Sequence, residues 1–268
     1  NCRVMLHQVS AGAIGPLFNI ASEVEELQQL QDKYIKCLVS CTNLSKRKLK
    51  SLLKDNRLVD IDQRHKGLWK DVILSQFLYA REFNFKNESQ IVPLLELVNH
   101  DVVSFQFYKS SSGISSPNYP PLDKELTYTY GSNSSLSCLF NYGFFSKETI
   151  VFSLPFNLFI KEMGITLMCK GKELKDDLMR IERSDKSILI EGLPIADSNS
   201  PSLPESYFRE LIEQIGGINF SILPLLNIIS FNNSIRREIL FHLDSMDNNA
   251  SSMLKKVINY EIELISHF

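Results

Sequence analysis

The densest apolar stretch of the chain, Ile91-Val92-Pro93-Leu94-Leu95-Glu96-Leu97-Val98, does most to restrict the fold. It has strand length and falls far short of the ~18 residues that a membrane span needs. An almost unbroken apolar run of that length predicts a strand covered on both faces. The fold must therefore place material on either side of it, which 268 residues can supply as one large domain or two modest ones. The run ends on Asn99-His100. Further on, Leu126-Thr127-Tyr128-Thr129-Tyr130 reads as a second strand, closing on Gly131-Ser132-Asn133, and Asn141-Tyr142-Gly143-Phe144-Phe145 follows.

Composition narrows the class. Hydrophobic residues make up 44% and charged residues 22%, as in an ordinary globular protein. A net charge of −2 gives no field that would draw the chain to nucleic acid or to anionic lipid, so neither is an expected partner. No signal peptide is visible, and the expected compartment is the cytoplasm or the nucleus. Cys2, Cys37, Cys41, Cys138 and Cys169 form no Cys-x-x-Cys pair and no ligand spacing with histidine. They read as reduced thiols of an intracellular protein, with no metal site. The glycosylation-type triplets at Asn43, Asn87, Asn133, Asn219, Asn232 and Asn249 read as chance in a chain rich in Asn and Ser. The opening residues Asn1-Cys2-Arg3-Val4-Met5-Leu6 read as the middle of a domain, which predicts a missing N-terminal part.

Periodicity places the other elements. Ser22-x-x-Glu25 is a capping box, and Val24, Leu27, Tyr34 and Leu38 give the helix behind it one apolar face. The basic run from Lys46 to Arg57 reads as a solvated helix face. A second helix is predicted over 66–83, with Trp69, Val72, Ile73, Gln76, Phe77 and Ala80 on one side. Phe105-Gln106-Phe107-Tyr108 alternates like a strand, and 110–121 is a Ser/Pro/Gly loop. Past residue 150, two short apolar pieces, 150–154 and 187–190, flank a charged stretch, 170–183, that reads as helix. Residues 197–201 form a linker. Ser202-x-x-Glu205 with Pro204 opens a helix faced by Tyr207, Phe208, Leu211, Ile212 and Ile215. Further helices are predicted at 234–246 and 251–266, the last faced by Met253, Val257, Tyr260 and Leu264. His7, His65, His242 and His267 belong to no constellation and read as surface or core residues.

Each of these turn compositions is common by itself. Their order and spacing are not: an apolar strand ending in Asn99-His100, then Tyr130-Gly131-Ser132-Asn133, then Tyr142-Gly143-Phe144. Together they resemble the C-terminal half of a SET domain of the RuBisCO large-subunit methyltransferase-like class. The resemblance implies an α+β fold: a β-rich SET core with a knotted chain crossing over 1–150, a helical insert over 22–68, and a mostly helical substrate-binding domain over 151–268. Leu203-Pro204 to Arg209 resembles the opening of that last domain.

The implied activity is S-adenosylmethionine-dependent methylation of a protein lysine, with histidine as the other acceptor found in the class. The implied partner is a specific folded protein docked on the C-terminal domain of a monomer, in the class of ribosomal proteins and translation factors. The chemistry is an in-line displacement by a neutral amine. Neutralising a free lysine at pH 7 costs about 4.6 kcal/mol. Desolvation in an aromatic channel lowers that cost, and alignment supplies about 7–11 kcal/mol in favourable cases. By resemblance Tyr130 is the catalytic tyrosine; Asn99, His100 and Arg81 bind the cofactor; and Tyr142, Phe144 and Tyr128 line the lysine channel. Arg81 also reads as a helix C-terminal charge. The family's glycine-rich cofactor segment has no match before Asn99, Glu96 stands where Asp is usual, and Asp123-Lys124-Glu125 replaces a Gly-Glu. A non-catalytic SET-like binding module therefore remains the alternative.

Overall fold

The computed structural model describes residues 17–42, 44–45, 47–49, 82–85, 88–92, 95, 98–111, 113–116, 125–130, 134–160, 164–171, 179–215, 223–244 and 249–267. The chain is α+β. It divides into two compact units: residues 1–26 with 64–131, and residues 27–63 with 132–268. Among the described residues no helix is long and apolar enough to cross a membrane.

The described residues of the first unit between 82 and 130 form short strand pairs. Strands β1 (Glu82–Phe85) and β2 (Glu88–Ile91) form an antiparallel hairpin. Strand β3 (Asn99–His100) lies parallel to β6 (Thr127–Tyr128), while β4 (Tyr108–Ser110) pairs antiparallel with β5 (Gly113–Ser115). Two expectations fail here. The apolar run is not one strand: β2 stops at Ile91, and Leu95 lies in a turn closed by the Val98 amide donating to the Leu95 carbonyl at 3.1 Å. Pro93 has no N–H to offer a ladder, which fits that break. Nor does 105–108 form a strand. Asp101 heads a turn, with the Ser104 amide on its carbonyl at 3.1 Å, and Phe105 points largely to solvent, 63% exposed.

In the second unit, helix α1 (Leu17–Cys41) contributes its residues from Leu27 onward. It starts ahead of the Ser22 capping box, which lies inside the helix. Of its predicted apolar face Tyr34 and Leu38 are buried, together with Leu30, and the side chains of Val24 and Leu27 lie outside the described ones. Helix α2 (Ser135–Tyr142) is capped by Ser134, whose Oγ accepts from the Ser137 amide at 3.1 Å. Gly143 ends it in the left-handed conformation, φ 79°, and donates its N–H to the Leu139 carbonyl.

Among the described residues of 150–197 there are six strands, and 172–178, the middle of the expected helix, lie outside them. β7 (Ile150–Phe152) pairs with β12 (Pro194–Asp197). β8 (Phe156–Ile160), β9 (Ile165–Lys170), β10 (Arg180–Arg183) and β11 (Ser187–Glu191) make a four-stranded sheet in the order β10-β11-β9-β8. The expected helix over 170–183 is corrected at both ends. Lys170 closes β9, and 180–183 is a strand because it pairs residue for residue with β11, Arg180 opposite Glu191 and Arg183 opposite Ile188. β9 and β11 run parallel, and their buried Leu167, Cys169, Ile188 and Ile190 alternate with less buried neighbours.

Helices α3 (Leu203–Ile215), α4 (Leu223–Asp244) and α5 (Asn249–Ser266) close this unit. α3 begins where Ser202 and Pro204 predict and buries Phe208 and Leu211. α4 is longer than the expected 234–246. Its buried stripe runs Leu225, Ile228, Ile229, Asn232, Ile235, Arg236, Ile239 and Leu243, at helical spacing.

Two residues of that stripe are polar, and both are satisfied. Asn232, fully buried, accepts from the Leu154 amide at 2.7 Å and donates to Ser153 Oγ at 3.0 Å and the Ile228 carbonyl at 2.9 Å. Burial alone removes its triplet as a glycosylation acceptor in the folded chain. Arg236, 1% exposed, donates to Glu261 Oε2 at 2.8 Å, to Asn232 Oδ1 at 2.9 Å and to the Phe152 carbonyl at 3.0 Å. The network joins α4, α5 and the end of β7. Removing one partner strands a buried charge, so Glu261→Ala should cost about 3–5 kcal/mol in urea unfolding. A loss below 1 kcal/mol would place the pair among surface ion pairs.

Burial also pushes the Cys169 thiol from 9.0 to about 12, against hydrogen bonds from Ser153 and Leu193 that pull it down. The denatured state therefore loses a proton near pH 9 that the fold retains. Stability should fall as pH rises from about 9 towards 12, and the decline should be shallower in Cys169→Ala under reducing conditions, measured as unfolding free energy against pH.

Candidate functional site

The parallel pairing of β3 with β6 sets Asn99 opposite Thr127 and His100 opposite Tyr128. Side chains extend this two-residue ladder in both directions. The Asp101 amide donates to the Tyr128 carbonyl at 3.1 Å. The Tyr130 amide donates to His100 Nδ1 at 3.0 Å, which puts the proton of the neutral ring on Nε2. The Tyr130 hydroxyl donates to the Val98 carbonyl at 3.2 Å. Tyr130 is thus held by its amide and its hydroxyl to two residues of the Val98–His100 segment.

Aromatic rings pack around the same pair. The His100 and Tyr130 ring centres are 4.9 Å apart, those of Tyr130 and Tyr128 are 4.8 Å apart, and those of Tyr128 and Phe107 are 4.7 Å apart, all tilted. All four side chains are half-buried, so the row has both a packed and a solvent-facing side. At its rim, Asn99 Nδ2 donates to Glu125 Oε1 at 2.5 Å, with both residues exposed. Ser104 and Thr127 share a hydroxyl–hydroxyl bond of 2.6 Å.

The structure therefore brings together Asn99, His100, Tyr128 and Tyr130 of the residues expected from sequence. Tyr142 and Phe144 belong to the other unit. They stack on each other across Gly143 at the end of α2, ring centres 6.0 Å apart and planes 27° apart. Arg81, Trp69, Glu96 and the Gly131-Ser132-Asn133 turn lie outside the described residues. Phe107 and Glu125 were missed as site residues. Phe107 was hidden in an alternating pattern read as a strand, and Glu125 stood out only as a departure from the expected Gly-Glu. The carboxylate now has a use, since it fixes the Asn99 amide.

No protein-family model, no curated protein and no solved structure matches this chain.

The two bonds to Tyr130 should differ in weight. His100→Ala leaves a half-buried N–H without its acceptor and should cost about 1–3 kcal/mol. Tyr130→Phe leaves only a carbonyl with a second lone pair and should cost about 0.5–1.5 kcal/mol. Urea unfolding of both variants and their double mutant tests this. Strictly additive costs would show that His100 and Tyr130 do not form one unit.

Proposed function

We propose that the chain is a SET-like, S-adenosylmethionine-dependent protein methyltransferase that modifies a lysine of a specific folded protein. The observation that carries this reading is the β3–β6 pairing, which brings Asn99-His100 and Tyr128-Thr129-Tyr130 together. A tyrosine, an Asn-His strand end and a backbone carbonyl then stand side by side, as the sequence resemblance requires.

The geometry suits amine methylation. The Tyr130 hydroxyl donates to the Val98 carbonyl, and its oxygen is the acceptor we assign to an N–H of an incoming amine. The half-buried row of His100, Tyr130, Tyr128 and Phe107 strips water from a bound amine and favours its neutral form. Bound S-adenosylmethionine would supply the methyl group as a sulfonium leaving-group substrate. Asn99, held by Glu125, and His100 are the residues assigned to it, and Tyr142 and Phe144 remain assigned to the lysine channel by resemblance alone. The knotted crossing, the helical insert and the substrate-docking role of the C-terminal region belong to this proposal.

The test uses the full-length protein. S-adenosylmethionine at 100 times its Kd should raise stability by about 2.7 kcal/mol. Labelled methyl should then appear on lysine of a protein from cells lacking the gene, read by mass spectrometry. We expect Tyr130→Phe to lower transfer about tenfold or more while cofactor affinity stays near that of the parent. Asn99→Ala should weaken cofactor binding. Neither a stability shift nor labelled product at millimolar cofactor would leave the chain as a non-catalytic binding module.

A further inference from the structure

The last turn of α1 and the middle of α4 bring three metal-ligating side chains to one point. Cys41 closes α1. Glu238 and His242 sit one turn apart on α4 and so share a face. The Cys41 thiol, a Glu238 carboxylate oxygen and a His242 ring nitrogen all lie within 4.8 Å of one another. Cys41 and His242 are half-buried and Glu238 is exposed, so solvent reaches the point at least at Glu238. The helices that carry them are fixed by core packing, for Leu38 of α1 and Ile239 and Leu243 of α4 are fully buried in one cluster.

We propose that Cys41, Glu238 and His242 form a zinc site that ties the end of α1 to α4. Zinc takes thiolate, imidazole and carboxylate ligands at about 2.0–2.3 Å, which sets ligand atoms roughly 3.5 Å apart in a tetrahedron. Rotation of three side chains by about 1 Å closes the present spacing to that value. One thiolate and one carboxylate balance the two charges of the ion, so the complex adds no net charge beside the apolar core. A mixed sulfur and nitrogen set selects zinc over magnesium and calcium. As the Zn–S bond forms, the thiol proton passes to solvent, while the neutral imidazole gives a lone pair without losing its N–H. Three protein ligands leave a fourth position for water, as in zinc sites that admit an outside ligand. The proposal is independent of methyl transfer, because none of the three residues is assigned to the cofactor, the catalytic tyrosine or the lysine channel.

Nothing in the sequence announces this site. Cys41 and His242 stand at opposite ends of the chain, and the Glu238-x-x-x-His242 spacing acquires meaning only when α1 supplies the sulfur.

The full chain, reduced and stripped with chelator, is titrated with zinc sulfate and separately with cobalt chloride. We expect one ion per chain and, with cobalt, the near-ultraviolet charge-transfer absorption of a thiolate bound to the metal. Cys41→Ser should abolish that absorption. His242→Ala should weaken zinc binding by more than the roughly 10–100-fold that loss of an outer-shell partner brings. Glu238→Gln, at an exposed position where folding is not at risk, should also weaken it, and His267→Ala should not. Cobalt binding without the thiolate absorption, or zinc affinity unchanged in both Glu238→Gln and His242→Ala, would overturn the proposal.

Discussion

The second unit depends on one buried cation. Arg236 sits in the middle of an apolar stripe on α4, and its guanidinium is placed against Glu261 of α5, Asn232 of its own helix and the Phe152 carbonyl. A lone buried charge there would be ruinous, and a single ion pair would scarcely repay its desolvation. What makes the arrangement work is completeness. Asn232 Oδ1 is shared between Arg236 and the Leu154 amide, and Asn232 Nδ2 reaches Ser153 and the Ile228 carbonyl. The chain leaves the β7 ladder at Phe152, where its next polar groups would otherwise be buried without partners. Two side chains of one helix take them up. Helix α4 is thereby set in register against the strand end and against α5, which packing of interchangeable isoleucines alone would specify less sharply.

A second, partly buried pair repeats the logic on the sheet. Lys170 and Glu191 are directly opposed in the parallel β9–β11 ladder and bonded to each other. The pair sits where the two central strands end, so a register slip of one residue would separate the charges as well as turn Leu167, Cys169, Ile188 and Ile190 out of the core.

These devices explain what was legible in the chain. Elements whose burial is periodic and apolar were readable: the face of α1 through Tyr34 and Leu38, α3 from Ser202 and Pro204 with Phe208 and Leu211, the face of α5 through Val257, and the Thr127-Tyr128 strand. Elements that depend on distant partners were not. Arg180–Arg183 is charged and strand-shaped only because β11 lies beside it, and α4 contains Asn232 and Asn233, which argue against helix until Ser153 and Leu154 are seen to satisfy Asn232. In the candidate site, the two stretches that matter were visible as stretches. Their parallel alignment, the His100 bond to the Tyr130 amide, and the parts of Phe107 and Glu125 were not, since each needs residues far apart in sequence.

The two units also differ in how their polar backbone is satisfied, and the difference bears on the candidate site. The second unit uses continuous ladders and helices over fully buried cores. Around Tyr130, by contrast, β3 and β6 exchange only a two-residue ladder, and the connection is completed by His100, Asp101 and tilted half-buried rings. Short ladders with few fully buried neighbours belong to the low-stability end of a fold. The shape of the site therefore rests on a few specific bonds more than on the ladder itself. Tyr130 couples the two segments beyond their ladder twice, through its amide on His100 and its hydroxyl on Val98, so its orientation is set by these two bonds as well as by the sheet.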